Sequence, residues 1–249
     1  MNNPVIQIVD TVAAIADLVG LFNNLSNEPP SLYIDIEGIN LCRQGSISII
    51  QIFHLPRNEI YLIDVHTLGQ SAFSTPSTNS GTTLKMVLEA GYIQKAFFDV
   101  RNDSDALYNI FGVHLAGIQD IQLLELATRN FSRRRVNGLA RCIQHDASLT
   151  PTEIVEWRSI KDKGGRLFAP EKGGSYDIFN RRPLPEEIIQ YCAQDVQILP
   201  KLYHTYNGRI GRWWREKVEV AVRERIDVCL QAGYTGKGSH KALAPAGWA

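Results

Sequence analysis

The order of hydrophobic and polar positions along the chain predicts a mixture of helices and strands. In residues 5–25, apolar residues recur at helical spacing with Asp10 as the expected cap, so a first helix is predicted there. Three runs rich in β-branched and aromatic residues follow at 32–36, 46–53 and 59–65, and turn residues separate them. These runs predict an antiparallel meander of three strands.

The rest of the chain predicts two more strands within a largely helical pattern. The polar stretch 71–83 predicts a loop. The next predicted elements are a helix at 84–90, a strand at 94–98, a helix at 103–111 capped by Gly112, and a strand at 118–121. From residue 123 onward the pattern predicts helices, with interruptions at Lys163-Gly164-Gly165 and Lys172-Gly173-Gly174. Long helices are predicted at 183–202 and 212–231. This order indicates an α/β fold with a mixed β-sheet of about five strands flanked by helices.

The length and composition are those of an ordinary soluble protein. The chain has 249 residues, of which 44% are hydrophobic and 21% are charged, enough for one large domain with a small appendage. We expect an N-terminal helical segment at 1–30, a main domain at 31–205, and a C-terminal basic helix and tail at 206–249. No apolar run approaches the roughly 20 residues that a membrane helix needs, so no membrane association is expected.

The N-terminus and the cysteines indicate an intracellular protein. Polar residues near the start, among them Asn2, Asn3 and Asp10, argue against a secretory signal. The four cysteines are scattered without a CxxC pair, which is typical of reduced, buried thiols and not of a zinc site. Cytoplasmic and nuclear locations both stay open.

The charges are distributed unevenly, although the net charge is zero. Residues 1–128 contain 5 Lys/Arg and 13 Asp/Glu, whereas residues 129–249 contain 21 and 13. A basic surface beside an acidic pocket suits a polyanionic partner such as nucleic acid, whereas any single cluster taken alone is more typical of a solvated helical surface. The candidate contacts to a nucleic-acid strand are Arg133, Arg134, Arg135, Arg212, Arg215 and Lys217. Trp213 and Trp214 could stack on bases or anchor the last helix.

Two acids, Asp35 and Glu37, lie in the first strand of the predicted meander. Side chains at i and i+2 of a strand share a face, so these two carboxylates would point the same way. Adjacent carboxylates in a dry pocket repel each other unless a cation or a shared proton offsets them. An isolated Asp-x-Glu is nevertheless common on exposed strands, and the pair alone does not define a site.

Three further polar residues lie on predicted helices. Tyr191 and Asp195 are four residues apart, so they stack on one helix face. Asp103 precedes a helical segment, where an aspartate is often only an N-cap, and Asp99 and Asp105 compete with it. Four carboxylates that converge from three places would form a site for hard divalent cations, which promote phosphodiester hydrolysis.

Taken in order, these motifs resemble those of a DEDDy 3′–5′ exonuclease domain, the tyrosine type of the DEDD superfamily on a ribonuclease H-like fold. Asp35-Ile36-Glu37 matches the first motif. The second motif is matched by Asp103, with Gly112 nine residues later, and the third motif is matched by Tyr191-x-x-x-Asp195. Stretches 46–51 and 61–64 resemble the ribonuclease D branch, and stretches 98–105 and 163–168 resemble its Egalitarian-like members. The resemblance covers about residues 30–205.

The resemblance implies metal-dependent release of nucleoside 5′-monophosphates from a single-stranded 3′ end. Asp35 would bridge two cations, Mg²⁺ or Mn²⁺, with Glu37 and Asp195 completing one site and Asp103 anchoring the other. Tyr191 would orient the attacking water. Family resemblance also makes Leu41 a candidate wedge against the terminal base, with core packing as its alternative. Near the terminal sugar, the candidates to sense a 2′-hydroxyl are Glu37, Asn40 and His54.

Other functions on the same fold stay open. Some Egalitarian-like relatives have lost acidic residues and serve as binding scaffolds, so the main alternative is a catalytically silent nucleic-acid-binding scaffold, with a homodimer or a protein partner. The retained acids and tyrosine argue against it. An endonuclease is a third reading, disfavoured by Tyr191. RNA processing is favoured over DNA because of the ribonuclease D resemblance.

Overall fold

A six-stranded mixed β-sheet forms the centre of the molecule. The computed structural model describes residues 3–22 and 25–249. The strands are β1 (Val5–Val9), β2 (Leu32–Glu37), β3 (Ile49–His54), β4 (Glu59–Asp64), β5 (Lys95–Phe97) and β6 (Ile118–Asp120). They lie in the order β1-β4-β3-β2-β5-β6. The α/β fold with a mixed sheet is therefore confirmed, with six strands where about five were predicted.

Helices pack on the sheet and make up most of the second half of the chain. They are α1 (Val12–Gly20), α2 (Val65–Leu68), α3 (Ser71–Ser74), α4 (Leu84–Glu89), α5 (Arg101–Phe111), α6 (Ile121–Thr128), α7 (Leu139–Asp146), α8 (Pro151–Phe168), α9 (Glu186–Gln197), α10 (Leu199–Asn207) and α11 (Arg212–Leu230). In the described part of the chain, no helix combines the length and apolar character needed to span a bilayer.

The predicted meander forms as expected and places the first acidic motif. β2 pairs antiparallel with β3, and β3 pairs antiparallel with β4. Every residue of β3 is buried, as expected for a central strand covered on both faces. β5 pairs parallel with β2 on its other side. The carboxyl ends of β2 and β5 therefore open at the same edge of the sheet.

The prediction of one helix over residues 5–25 is wrong at its start. Val5–Val9 forms β1, which pairs parallel with β4, and the helix begins at Val12 with Thr11 as its cap, not Asp10. Four of the five residues Val5–Val9 are β-branched, so a strand suits them as well as a helix. Positions 1–2 and 23–24 of the predicted N-terminal segment lie outside the described residues.

Two predicted elements in the rest of the chain also differ from prediction. The loop predicted at 71–83 begins with the short helix α3. The helix predicted at 183–202 is two helices, α9 and α10, with Pro200 in the first turn of α10. Proline lacks the N–H that a continuous helix would need and disfavours helical geometry in the residue before it.

The Gly164-Gly165 pair does not interrupt a helix, contrary to prediction, since α8 continues through both glycines. A Cβ atom on Gly164 would lie 2.7 Å from Cδ2 and 2.8 Å from Cβ of Tyr191. Such distances are too short for carbon atoms in contact, which pack at about 3.5–4.0 Å. Gly164 is therefore needed for the close packing of α8 on α9 and not for a turn.

We expect Gly164→Ala to lower the free energy of unfolding by about 1–3 kcal/mol, because the added methyl group overpacks the contact with Tyr191. Gly165→Ala is the matched control, since its Cβ would meet only the flexible side chain of Lys172, whose Nζ would lie at 3.2 Å. Alanine has the higher helix propensity, so the control should be neutral or stabilising. Urea unfolding monitored by circular dichroism measures both, and equal stabilities would show that α8 can shift to absorb the methyl group.

Helix α11 packs on α5, α6 and β6. The buried Arg225 of α11 donates to Oδ2 of Asp120 at 2.6 Å and to Oε1 of Gln122 at 2.9 Å. Asp120 ends β6, and its carboxylate also accepts the backbone N–H of Asp99 at 3.1 Å. The C-terminal helix thereby fixes the loop that leads into α5.

Candidate active site

Three of the predicted acids converge at one edge of the sheet. Asp35 and Glu37 are at the carboxyl end of β2, and Asp195 lies on α9, which packs on β2. One carboxylate oxygen from each residue lies within 4.8 Å of the others. Hard divalent cations prefer such sets of oxygen ligands, so the donor set suits a divalent metal.

The electrostatics of this cluster favour a bound positive charge. Burial, followed by the charge of Asp195, raises the pKa of Asp35 to about 7. Burial and the neighbouring Asp35 charge raise the pKa of Glu37 well above its usual range. Carboxylates that repel one another in a poorly solvated pocket take up protons unless a cation is present. A divalent cation would relieve the same repulsion.

Asp103 faces the cluster from a third element. It lies buried in the first turn of α5, and after burial the charge of Asp35 is the largest cause that raises its pKa. It is not among the three acids whose oxygens meet within 4.8 Å. The N-cap of α5 is Val100, so Asp103 is not a capping residue.

The two acids that compete with Asp103 are paired with arginines. Asp99 accepts Nε of Arg101 at 2.6 Å. Asp105 accepts Nε of Arg43 at 2.8 Å and the Arg43 backbone N–H at 2.7 Å. Asp103 makes no ion pair or hydrogen bond through its side chain within the described residues. Of the three, it is therefore the acid that is available to a ligand.

Tyr191 stands one turn before Asp195 on α9, as its spacing predicted. Its ring packs on Phe168 at 4.9 Å between centroids. Burial raises the pKa of Asp195, and Lys161 and then the Tyr191 hydroxyl oppose that rise. Burial and then the charge of Glu37 raise the pKa of the Tyr191 phenol. The hydroxyl therefore stays protonated and can orient a water molecule but cannot act as a base near neutral pH.

Lys161 on α8 is a site residue that the sequence did not single out. Its Nζ lies 2.5 Å from Oδ1 and 2.6 Å from Oδ2 of Asp195, and 4.0 Å from the ring centroid of Tyr191. The helical spacing of Lys161, Gly164 and Gly165 puts all three on one face of α8. That spacing could have indicated a lysine facing α9, had the glycines not been interpreted as a break.

The candidates around the terminal nucleotide lie on different parts of the fold. Leu41 is half-buried and packs against the core, and Asn40 is exposed with a positive φ of 50°. Both follow β2 closely, so their assignment stays a prediction. His54 pairs with Leu32 at the far end of β2, whereas Glu37 pairs with Ile49. Five residues of strand separate the ends by about 17 Å, so His54 does not belong to this site.

The two basic clusters meet around one tryptophan. The Arg133 guanidinium stacks on Trp214 at 4.5 Å, and Nζ of Lys217 lies 5.2 Å from the same ring. Arg133 also donates to the backbone carbonyls of Leu126, at 3.0 Å, and of Arg129. Arg133 thus has structural partners, but its place beside Lys217 joins two clusters that are about 80 positions apart in the sequence.

The remaining basic candidates differ in how strongly they are held. Arg134 and Arg135 are exposed. Arg215 donates to Oδ1 of Asn207 at 2.7 Å, and the exposed Arg212 pairs with Glu216 at 3.3 Å.

The two adjacent tryptophans have different environments. Trp214 packs on the buried Trp248, with 5.0 Å between ring centroids. Trp213 is 59% exposed. Trp214 is therefore an anchor of the last helix, and Trp213 is the more exposed of the two indoles.

Comparison with known proteins shows the family to which this chain belongs. A family described as 3′–5′ exonuclease matches residues 6–209. The chain is 30% identical to the mouse piRNA biogenesis protein EXD1 over 173 residues, covering 68% of this chain and 27% of that protein. It is 33% identical to the human protein of the same name over 171 residues, covering 68% and 30%. The chain spans less than a third of the length of these two relatives.

The fold is similar to that of solved ribonucleases. Trypanosoma brucei RNase D, solved in complex with RNA U12, superposes with a TM-score of 0.73 at 22% identity, covering 98% of this chain and 78% of that one. Escherichia coli RNase D superposes with a TM-score of 0.61 at 20% identity, covering 93% and 50%. The family match covers most of the chain, including all three elements that carry the acids, β2, α5 and α9. This chain belongs to the 3′–5′ exonuclease family.

Proposed function

We propose that this chain is a metal-dependent 3′–5′ exonuclease that releases nucleoside 5′-monophosphates from a single-stranded 3′ end. The observation that carries the proposal is the convergence of Asp35, Glu37 and Asp195, whose oxygens lie within 4.8 Å of one another beside Tyr191. The buried Asp103 faces Asp35 from α5 and is free of ion pairs among the described residues. Together these residues supply the ligands and the hydroxyl that phosphodiester hydrolysis requires.

The donor set suits Mg²⁺ or Mn²⁺, because all four side chains offer only oxygen. Asp35, Glu37 and Asp195 would hold one ion, and Asp103 with Asp35 would hold a second. When bound, two such ions stabilise the charge on the attacking and leaving oxygens of a phosphodiester. Tyr191 would orient the attacking water through its protonated hydroxyl. Lys161 would balance part of the negative charge while the pocket is open to solvent.

Single-stranded RNA is the proposed substrate. Trypanosoma brucei RNase D, which shares this fold, has been solved with RNA U12 and with GMP, and the sequence relatives are named for piRNA biogenesis. The basic clusters around Trp214, with the exposed Trp213, would hold the strand upstream of its 3′ end. An intracellular location is proposed as well, since all four cysteines are free and buried.

The test is degradation of matched 5′-labelled RNA and DNA strands with Mg²⁺, with Mn²⁺ and with EDTA. We expect stepwise shortening from the 3′ end, faster for RNA, that stops in EDTA. A circular RNA of the same sequence should stay intact, since it has no 3′ end. Cutting of the circle would indicate an endonuclease, and intact linear strands under all metal conditions would contradict the proposal.

One observation favours a second function, the catalytically silent nucleic-acid-binding scaffold. Lys161 neutralises Asp195 within the protein, so the pocket can hold its acids without a metal ion. In that case the same assay would detect oligonucleotide binding and no shortening. A homodimer or a protein partner belongs to this second proposal.

Lys161 should compete with metal ions for Asp195. We expect Lys161→Met to tighten Mn²⁺ binding by about tenfold, the size of effect that corresponds to about 1.4 kcal/mol, because a neighbouring positive charge is removed from the carboxylate. Isothermal titration calorimetry with Mn²⁺ measures this without any turnover. Lys163→Met is the control, since Lys163 is exposed on the same helix. Unchanged affinity in Lys161→Met would mean that the ammonium does not share the oxygens that bind the ion.

A further inference from the structure

The C-terminal end of the chain returns to the acidic site. The family match ends at residue 209, yet residues 232–248, here called the C-terminal strap, run back from the end of α11 across the loops that carry the site. The Arg43 guanidinium, in the loop after β2, donates to the Ala232 carbonyl at 3.1 Å and to the Cys229 carbonyl at 2.7 Å. The strap is therefore tied to the loop that follows Glu37.

The strap also touches the residue before Asp103. A Cβ atom on Gly236 would lie 2.7 Å from Oδ1 of Asn102, so the strap passes in close contact with the start of α5. Nζ of Lys241 donates to the same oxygen at 2.6 Å. The Lys241 backbone carbonyl in turn accepts Nη2 of Arg101 at 2.9 Å. Lys241 is therefore held at the Asp103 side of the pocket from two directions.

Lys241 differs from the other cations in this region because no carboxylate among the described residues pairs with it. Arg43 is bound by Asp105, Arg101 by Asp99, and Arg225 by Asp120. Within the described residues the Lys241 ammonium is half-buried and has a neutral amide oxygen as its acceptor, which leaves two of its three N–H bonds without a protein partner. A cation that is partly desolvated without an ion pair is costly, and an anionic ligand would offset that cost.

The charge of Lys241 acts on Asp103, one of the four acids of the site. Burial raises the pKa of Asp103, and the Lys241 charge opposes that rise. Burial lowers the pKa of Lys241, while Asp99 and Asp103 oppose that fall. Lys161 acts on Asp35, Glu37 and Asp195 from the opposite element, α8. The cluster of carboxylates thus has one lysine on its Asp195 side and another on its Asp103 side.

Beyond Lys241, the strap continues to the basic clusters. The Ala242 carbonyl accepts the Val136 N–H at 3.0 Å, and the Ala244 N–H donates to the Arg134 carbonyl at 3.1 Å. Trp248 then packs on Trp214. Residues 241–248 therefore connect Lys241, at the Asp103 side of the pocket, to the loop that holds Arg134 and Arg135.

We propose that Lys241 binds an internucleotide phosphate of the single-stranded substrate, next to the Asp103 side of the site, and that the C-terminal strap positions it there. This inference rests on the proposed function, since the ligand is the phosphodiester chain whose 3′ end the carboxylates process. Lys241 is a positioning residue in this scheme. It contributes to holding the strand, while the acids and Tyr191 act on the terminal bond.

The experiment compares Lys241→Gln with Lys241→Arg and with Lys237→Gln. Lys237 is an exposed lysine of the same strap, so its substitution removes an equal charge from a position away from Asn102. Binding of a 5′-fluorescent single-stranded RNA is measured by anisotropy across a series of salt concentrations, with all variants also carrying Asp195→Asn to prevent cleavage. Turnover and thermal unfolding are measured in the same variants without Asp195→Asn.

We expect Lys241→Gln to weaken binding about 3- to 10-fold and to reduce the salt slope by about 0.7, the value for one phosphate contact to a single strand. KM should rise, whereas kcat should stay within about twofold of its original value. The reason is that a contact made equally in the ground and transition states changes binding alone. Lys241→Arg should restore affinity and slope, and Lys237→Gln should change both less than Lys241→Gln does.

Three outcomes would overturn the inference. Equal affinities and slopes for Lys241→Gln and Lys237→Gln would mean that Lys241 contributes only general charge. A lower unfolding temperature with an unchanged salt slope would mean that Lys241 only fastens the strap to Asn102. If the unsubstituted chain neither binds nor shortens RNA, the proposed function fails and this inference fails with it. If the unsubstituted chain shortens RNA but Lys241→Gln leaves the salt slope of binding unchanged, this inference alone is wrong.

Discussion

Asp35→Asn and Asp195→Asn should each abolish nuclease activity, with a fall of at least about a thousandfold, and leave the fold intact. Each change removes a ligand charge while keeping the shape of the side chain. Asp35 lies between the two proposed metal positions, and loss of transition-state charge stabilisation commonly costs several kcal/mol. The measurement is the initial rate of RNA shortening at saturating Mg²⁺, with circular dichroism to check the fold.

The Asp35→Asn substitution should stabilise the metal-free protein. The folded-state pKa of Asp35 is raised from 3.8 to about 7, so the folded state binds more protons than the unfolded state between these values. Stability is therefore lost as the pH rises through this window. Asp35→Asn removes that loss, and its gain in the free energy of unfolding, measured in EDTA, should be larger at pH 8 than at pH 5.

A matched control separates the site from acidity in general. Asp105→Asn removes a carboxylate two residues from Asp103, but one that is held by Arg43. Breaking a buried ion pair is destabilising, so this control should lower stability and keep the rate of the folded fraction. If Asp35→Asn keeps an activity within a few-fold of the unsubstituted chain, that result contradicts the two-metal proposal.

The sequence predicted the acidic elements well because each depends on local signals. The β2–β4 strands combine β-branched residues with clear turns, and Asp35 and Glu37 share a face in any strand. Tyr191 and Asp195 share a face in any helix. In α5, Gly112 adopts the left-handed conformation that ends a helix, with a φ of 65°.

The elements that were missed depend on partners far away in the sequence. Val5–Val9 becomes a strand because β4 is available to pair with it, which five residues alone do not reveal. Gly164 faces Tyr191 across two helices, and without that contact a Gly-Gly pair indicates a break. Lys161 and Lys241 reach the acids from α8 and from the strap, so neither has a local motif that distinguishes it from other lysines.

Tyr191→Phe should reduce turnover by roughly 10- to 1000-fold, since donors that orient reacting groups contribute a few kcal/mol. The substitution deletes only the hydroxyl. The ring would keep its packing on Phe168, and Lys161 would still lie over the ring face, where phenylalanine also attracts cations. Stability should therefore change by less than about 1 kcal/mol, within the usual range for loss of one hydrogen bond.

Metal affinity provides the decisive second measurement, because the phenol is protonated and is not one of the proposed ligands. Mn²⁺ binding to Tyr191→Phe should match the unsubstituted chain, while kcat falls and KM stays nearly constant. Tyr176→Phe is the control, since Tyr176 also lies beside Phe168, with 5.9 Å between ring centroids, but outside the cluster of acids. Normal turnover in Tyr191→Phe would make Tyr191 a packing residue of α9 and would leave water orientation to the carboxylates alone.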